Sequence, residues 1–108
     1  FSAPMRYAEA FGLCLIEAMA SGVPVVNPGG STFEEIALIT GGGKTVPPGD
    51  PRLLASAWDE LLADPAEAAE MGKRGRRGVE QHYSVEVMKN GFLKLAERAC
   101  AKTVPRKL

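Results

Sequence analysis

The sequence has few of the residues that build metal and redox sites. It contains two cysteines and one histidine in 108 residues. Cys14 and Cys100 are far apart and belong to no C-x-x-C spacing, so free thiols in a reducing compartment fit the pattern better than a disulfide. His82 has no Cys, Asp or Glu around it at metal-ligand spacing. We therefore expect no metal site and no redox function.

Excess charge and long apolar runs are also missing. Thirteen basic and thirteen acidic residues give a formal net charge of zero. This balance argues against broad binding of phosphate backbones, so no nucleic-acid partner is expected. The basic run KRGRR, at residues 73–77, is typical of a solvated helix face. No apolar run reaches the roughly 18 residues of a membrane span, and we expect a cytoplasmic protein.

The remaining pattern predicts alternating helices and strands in a chain of single-domain length. Residues 1–4 are typical of the tail of a strand that runs into a loop. A buried helix is predicted over residues 11–20, followed by an apolar strand at 23–26. Ser31 or Thr32 can cap a helix through Leu38, and residues 44–46 form at most a short strand. Asp-Pro pairs open helices at 50–63 and 64–82, and Ser84 caps a last helix.

This order of elements is typical of the C-terminal end of an α/β domain. One clear strand and two weak ones cannot form a free-standing doubly wound sheet. The sequence also begins without Met, and we expect a piece of a longer protein. Three glycines, Gly72, Gly75 and Gly78, are predicted to weaken the helix that contains them.

The segment GGGKT, at residues 41–45, resembles part of a phosphate-binding P-loop but does not fit that motif. The P-loop pattern requires glycine at the position that Leu38 occupies here. It also requires a helix after Lys44 and Thr45, and VPPG cannot start one. A nucleotide-triphosphatase function is therefore excluded.

The segment EAFGLCLIE, at residues 9–17, has a carboxylate at each end of an apolar run. Gly12 falls where a helix begins, and the free N–H groups of a first helical turn attract an anion. Glu9 precedes the helix and Glu17 lies inside it, and carboxylates accept hydrogen bonds from sugar hydroxyls. The residues alone leave two interpretations open: a cradle for a nucleotide-sugar, or two acids that simply face solvent.

A longer pattern carries a resemblance to a known family. Pro4, EAFGLCLIEAMASGVPVV, the Gly29-Gly30 pair with Glu35-Ile36, and a glycine-rich turn before VPPGDP resemble the C-terminal half-domain of GT-B-fold glycosyltransferases. The best match is the retaining group called glycosyltransferase family 4, or group 1. The resemblance implies an α/β fold, the C-terminal part of a Rossmann-like GT-B domain with few parallel strands flanked by helices. Residues 1–49 would be its donor-site region and residues 50–108 its helical C-terminal part.

The resemblance also implies roles for individual residues. Glu9 matches the catalytic-site acid near the hydroxyls of the donor sugar. Phe11, Gly12 and Leu13 match the turn whose amides meet the diphosphate and the sugar, and Glu17 matches the acid that binds the ribose. No metal and no cofactor are expected, because the nucleotide-sugar is the substrate. Two departures from the family pattern, Met5 and Ala10, leave the identity of the donor open.

The function implied is transfer of a hexose from a UDP- or GDP-linked sugar, with retention, to an unknown acceptor. The missing N-terminal domain would be the main partner, and through it the protein could reach the inner face of the membrane. The chain alone is expected to be inactive and to self-associate. The alternatives are a non-catalytic remnant that serves as an interaction module, or another GT-B relative such as a nucleotide-sugar epimerase or a phosphorylase.

Overall fold

The computed structural model describes residues 1–5 and 10–102, which form five helices and two strands. In chain order these are α1 (Leu13–Ala20), β1 (Val25–Pro28), α2 (Thr32–Thr40), β2 (Gly43–Val46), α3 (Pro51–Leu62), α4 (Pro65–His82) and α5 (Val85–Lys102). Every predicted helix is present, as are the strands predicted at 23–26 and 44–46, and the bounds differ from the predicted ones by a few residues. The strand tail predicted at residues 1–4 is not a strand in the structure. The largest strand shift is in β1, which begins after Pro24 because proline lacks the N–H that a ladder needs.

The sheet is parallel, and the N-terminal segment extends it. Val25 lies opposite Gly43 and Pro28 lies opposite Val46. On the other side of β1, the Val26 N–H donates to the Phe1 carbonyl at 3.0 Å. The side-chain oxygen of the buried Asn27 accepts a hydrogen bond from the Ala3 N–H at 2.8 Å. The N-terminal segment therefore lies beside β1 through these two hydrogen bonds, a position that the sequence did not predict.

Two apolar clusters lie on opposite faces of β1. Val25 belongs to a cluster with side chains from α1, α2 and α4. Val26, the next residue, belongs to a cluster with side chains from β2, α3 and α4. Successive side chains of a strand point to opposite faces, so β1 is covered on both sides. This confirms the expected α/β class with few parallel strands flanked by helices.

The three glycines of α4 are contact points, a role that the prediction about their helix propensity did not include. All three are buried. A Cβ on Gly72 would overlap the Gly22 carbonyl oxygen, and one on Gly75 would lie 3.0 Å from the Gly42 Cα. A Cβ on Gly78 would overlap the backbone of Thr40. The helix backbone can approach the chain this closely only where no side chain intervenes.

The basic run on α4 forms local ion pairs. Lys73 lies 3.2 Å from Glu70, and Arg76 lies 3.1 Å from Glu80. Arg74 lies 2.7 Å from Glu67 and donates from Nε to the Gly41 carbonyl at the end of α2. Lys73, Arg76 and Arg77 are exposed, in agreement with the predicted solvated helix face, whereas Arg74 is half-buried and Gly75 is buried.

Helix α5 has no buried residue. Its large apolar side chains are all exposed: Val85, Val87, Met88, Phe92, Leu93 and Leu95. Across the part of the chain that the structure describes, no helix is both long enough and apolar enough to cross a bilayer.

Candidate functional site

The candidate site is built on the N-terminus of α1. Gly12 is the N-cap residue, with φ of 78° in the left-handed region, and no side chain of the described residues caps the helix. Its carbonyl accepts from the N–H groups of Leu15 and Ile16 at 3.0 and 3.2 Å. A side chain at position 12 would strain this conformation. The first amides of α1 therefore have no side-chain cap and carry the partial positive charge of a helix start.

The side chains around this helix start are accessible to solvent. Phe11 and Leu13 are both 59% exposed, whereas Gly12 is buried. Glu17 is also exposed, one turn beyond Leu13 on the same side of α1. Four residues of helix place it about 6 Å further along the axis. Three of the predicted site residues, Phe11, Leu13 and Glu17, are therefore exposed around the start of α1, and the buried Gly12 lies between the first two.

The prediction of a buried helix holds for one side of α1 only, and Glu17 lies on the exposed side. Leu15, Ile16 and Met19 fill the core, and Glu17 falls on the opposite side because the helical repeat is 3.6 residues. Its carboxylate therefore needs no buried partner, and no ion pair to it is found among the described residues. Both a ligand-binding acid and a solvated acid have to be exposed, so this position suits either interpretation.

Glu9, the predicted catalytic residue, lies outside the described residues, together with the rest of residues 6–9. Its role stays a prediction of the sequence. The residue that follows the gap, Ala10, is described and exposed.

The N-terminus of α2 lies beside the same turn. Ser31 caps α2 by accepting from the Phe33 N–H at 3.3 Å. The hydroxyl of Thr32 instead donates to the carbonyl of Ala10 at 2.8 Å. Sequence reasoning treated Ser31 and Thr32 as alternative caps and missed this contact. The adjacent pair of hydroxyl residues was the available signal, since only one of the two residues can be the N-cap of α2.

A cavity of about 910 Å³ opens at the carboxyl ends of β1 and β2. Its walls are mostly proline and apolar side chains: Pro4, Met5, Pro28, Pro47, Pro48, Gly49, Asp50, Pro51 and Leu54. Among the described residues that line it, Asp50 is the only charged one, and its carboxylate already accepts from the Arg52 N–H at 2.9 Å as the cap of α3. Phe11, Gly12, Leu13 and Glu17 do not line this cavity. It offers few free polar groups for a nucleotide, and the start of α1 offers more.

Two other kinds of site find no support in the described ranges. No group of three or more His, Cys, Asp or Glu side chains in them could hold a metal ion. Lys44 and Thr45 lie within β2, and the Lys44 ammonium is paired with Glu60. A P-loop lysine opens a helix, so the rejection of the P-loop is confirmed. Both cysteines are free thiols, as expected.

Comparison with known proteins supplies the family. The family "Glycosyl transferases group 1" matches residues 1–78. The chain is 38% identical over 81 residues to a GDP-mannose-dependent monoacylated alpha-(1-6)-phosphatidylinositol monomannoside mannosyltransferase of Corynebacterium glutamicum, covering 74% of this chain and 21% of that protein. It is 34% identical over 86 residues to a lipopolysaccharide core biosynthesis mannosyltransferase of Rhizobium leguminosarum, covering 80% of this chain and 24% of that protein.

A solved structure shares the fold. Sucrose-phosphate synthase from Thermosynechococcus elongatus superposes with a TM-score of 0.82 at 34% identity, over 94% of this chain and 26% of that chain. The predicted GT-B fold is thereby confirmed. The chain spans about a fifth to a quarter of the length of the relatives it matches. With a family match over residues 1–78, the chain belongs to the group 1 family of glycosyltransferases.

Proposed function

We propose that this chain is the donor-binding region of a retaining glycosyltransferase that moves a hexose from a nucleotide-sugar to an acceptor. The observation that carries the proposal is the start of α1, where uncapped amides lie beside Gly12 and the exposed Glu17 follows one turn later. Membership of the group 1 family supports it. The name of the Corynebacterium relative specifies GDP-mannose, so a GDP-linked donor is the first to test, with a UDP-linked donor as the alternative.

Each part of the site has a proposed task. The amides around Phe11, Gly12 and Leu13 bind the diphosphate, since a helix N-terminus is a ready anion site. They also stabilise the negative charge that develops on the diphosphate as the sugar departs. Glu17 accepts hydrogen bonds from the ribose hydroxyls, and Glu9 accepts them from the hydroxyls of the sugar. In this proposal the backbone dipoles stabilise part of the leaving group's charge and no metal takes part.

The domain assignment is part of the same proposal. Residues 1–49 supply the donor site and residues 50–108 the helical support, while a further domain supplies the acceptor side. In this proposal the protein is cytoplasmic and reaches the inner face of the membrane through that further domain. The described site is open to water, which screens its charges, so the chain alone binds a nucleoside diphosphate at about millimolar strength. It shows no transfer and, with the apolar side of α5 exposed, self-associates.

The test is a pair of binding titrations, with GDP and with GDP-mannose, followed by NMR on the isotopically labelled chain. Glu17→Ala should weaken both ligands by about tenfold or more, because hydrogen bonds to a charged group are lost. Glu9→Gln should weaken GDP-mannose while GDP binds nearly as before. Glu97→Ala is the matched control, since it removes an exposed helix carboxylate from α5.

The outcomes separate the assigned roles. Unchanged GDP affinity in Glu17→Ala, with the fold intact, removes Glu17 from the ribose site. Equal losses of GDP and GDP-mannose in Glu9→Gln contradict its assignment to the sugar. A wild-type chain that binds neither GDP nor UDP overturns the proposed donor site as a whole.

A further inference from the structure

We infer that Thr32 is a positioning residue for the donor site, and that its hydroxyl holds the turn at residues 10–12 against the start of α2. This inference rests on the proposed function, because the proposed function assigns the diphosphate to the amides of this turn. Thr32 itself touches the backbone of the turn and is assigned no contact with the substrate. Its effect on the ligand passes through the position of the turn's amides.

The contact is a long-range hydrogen bond between the first residue of α2 and the turn that precedes α1. The Thr32 Oγ1 donates to the Ala10 carbonyl at 2.8 Å across 22 residues of sequence. Thr32 is the first residue of α2, where a hydroxyl could have served as a cap, but Ser31 already accepts from the Phe33 N–H. The Thr32 hydroxyl is therefore not needed to start its own helix and is directed to the neighbouring turn.

Both ends of the turn are anchored to the core by this arrangement. Gly12 is held by the first hydrogen bonds of α1, whose Leu15 is 1% exposed and Met19 fully buried. Ala10 is held by Thr32, and the next residue of α2, Phe33, is also fully buried. Phe11 alone lies between the two anchored positions. A segment fixed at both ends loses less freedom when it binds a ligand, which raises affinity through preorganisation.

Removal of the hydroxyl should therefore loosen the turn and weaken ligand binding together. Ala10 is exposed, so water can replace the lost donor. The changes in exchange rate and GDP affinity should therefore stay at the lower end of the range expected for loss of a neutral hydrogen bond. We expect about two- to fivefold faster exchange of the Phe11 and Gly12 amides and a similar loss of GDP affinity. The global unfolding midpoint should change little, since valine keeps the size and branching of threonine.

The experiment compares three variants of the chain. Thr32→Val removes the hydroxyl, Thr32→Ser restores it on a smaller side chain, and Thr45→Val makes the same change at an exposed position of β2. Amide exchange is measured by NMR without ligand, and GDP is then titrated into each sample. Faster exchange and weaker GDP binding in Thr32→Val, with recovery in Thr32→Ser and no change in Thr45→Val, is the expected result.

Unchanged exchange at residues 10–12 in Thr32→Val would overturn the inference, because the hydroxyl would then not hold the turn. Faster exchange with unchanged GDP affinity would also overturn it, because the position of the turn would then not matter to the ligand. Failure of Thr32→Ser to recover would assign the effect to packing instead of the hydrogen bond. If the wild-type chain does not bind GDP, the proposed function is overturned instead. Amide exchange alone then tests whether the Thr32 hydroxyl holds the turn.

Discussion

Helices α4 and α5 have the same length, 18 residues, and opposite surroundings. α4 has only two large apolar side chains, Met71 and Val79, yet it buries both of them along with three glycines. α5 has six large apolar side chains and buries none. The apolar content of a helix therefore does not determine its burial here. α4 is packed because glycine lets its backbone approach the ends of α1 and α2.

This contrast divides the chain into a packed body, α1 to α4 with the two strands, and an unpacked helix, α5. The body has two apolar clusters, one on each side of β1. Side chains in the body should therefore contribute strongly to the free energy of unfolding, and equivalent side chains on α5 should contribute little. Two pairs of variants test the division, and a single variant then tests the surface of the body, from the largest expected effect to the smallest.

The first comparison is Phe33→Ala against Phe92→Ala. Phe33 is fully buried in the body and Phe92 is 70% exposed on α5. Loss of a buried phenylalanine leaves a cavity and should cost about 3–5 kcal/mol, whereas the exposed one should change stability by about 0.5 kcal/mol or less. Urea denaturation followed by circular dichroism measures both. Similar losses in the two variants would show that α5 is packed in solution.

The second comparison is Gly72→Ala against Gly91→Ala, the same change in α4 and in α5. A methyl group on Gly72 would overlap the Gly22 carbonyl, while one on Gly91 would meet nothing within 4 Å. We expect Gly72→Ala to destabilise by about 1–3 kcal/mol through overpacking. Gly91→Ala should stabilise by up to about 1 kcal/mol, because alanine favours the helix. Thermal unfolding shows whether each variant is more or less stable than the wild-type chain. A stabilising Gly72→Ala would refute the close contact.

The third test examines charge on the surface of the body. Lys44 pairs with Glu60, and their side chains are 40% and 68% exposed. Exposed ion pairs contribute about 0–1 kcal/mol, so Lys44→Ala should shift the unfolding midpoint only slightly. GDP affinity should not change, since Lys44 lies within β2 and does not open a helix as a P-loop lysine does. A large loss of GDP binding would instead require Lys44 to be part of the donor site.

The sequence predicted the order and type of every element well, because the signals were local. Asp-Pro at the starts of α3 and α4 and glycine after α2 act within a few residues of themselves. The resemblance placed Phe11, Gly12, Leu13 and Glu17 in one segment, and a single helix start keeps them together. Glu9 was placed by the same resemblance, and its geometry lies outside the described residues.

The sequence by itself thus determined the local structure and the family of this protein, since both depend on patterns of adjacent residues. Only the tertiary structure decided that Glu17 is exposed, that the glycines of α4 are contacts, and that Thr32 reaches Ala10. The physical reason is that each of these depends on segments separated in sequence by about 20 residues or more, whose approach is set by packing in three dimensions. Periodicity could show that a residue lies on one side of a helix, but not what, if anything, covers that side.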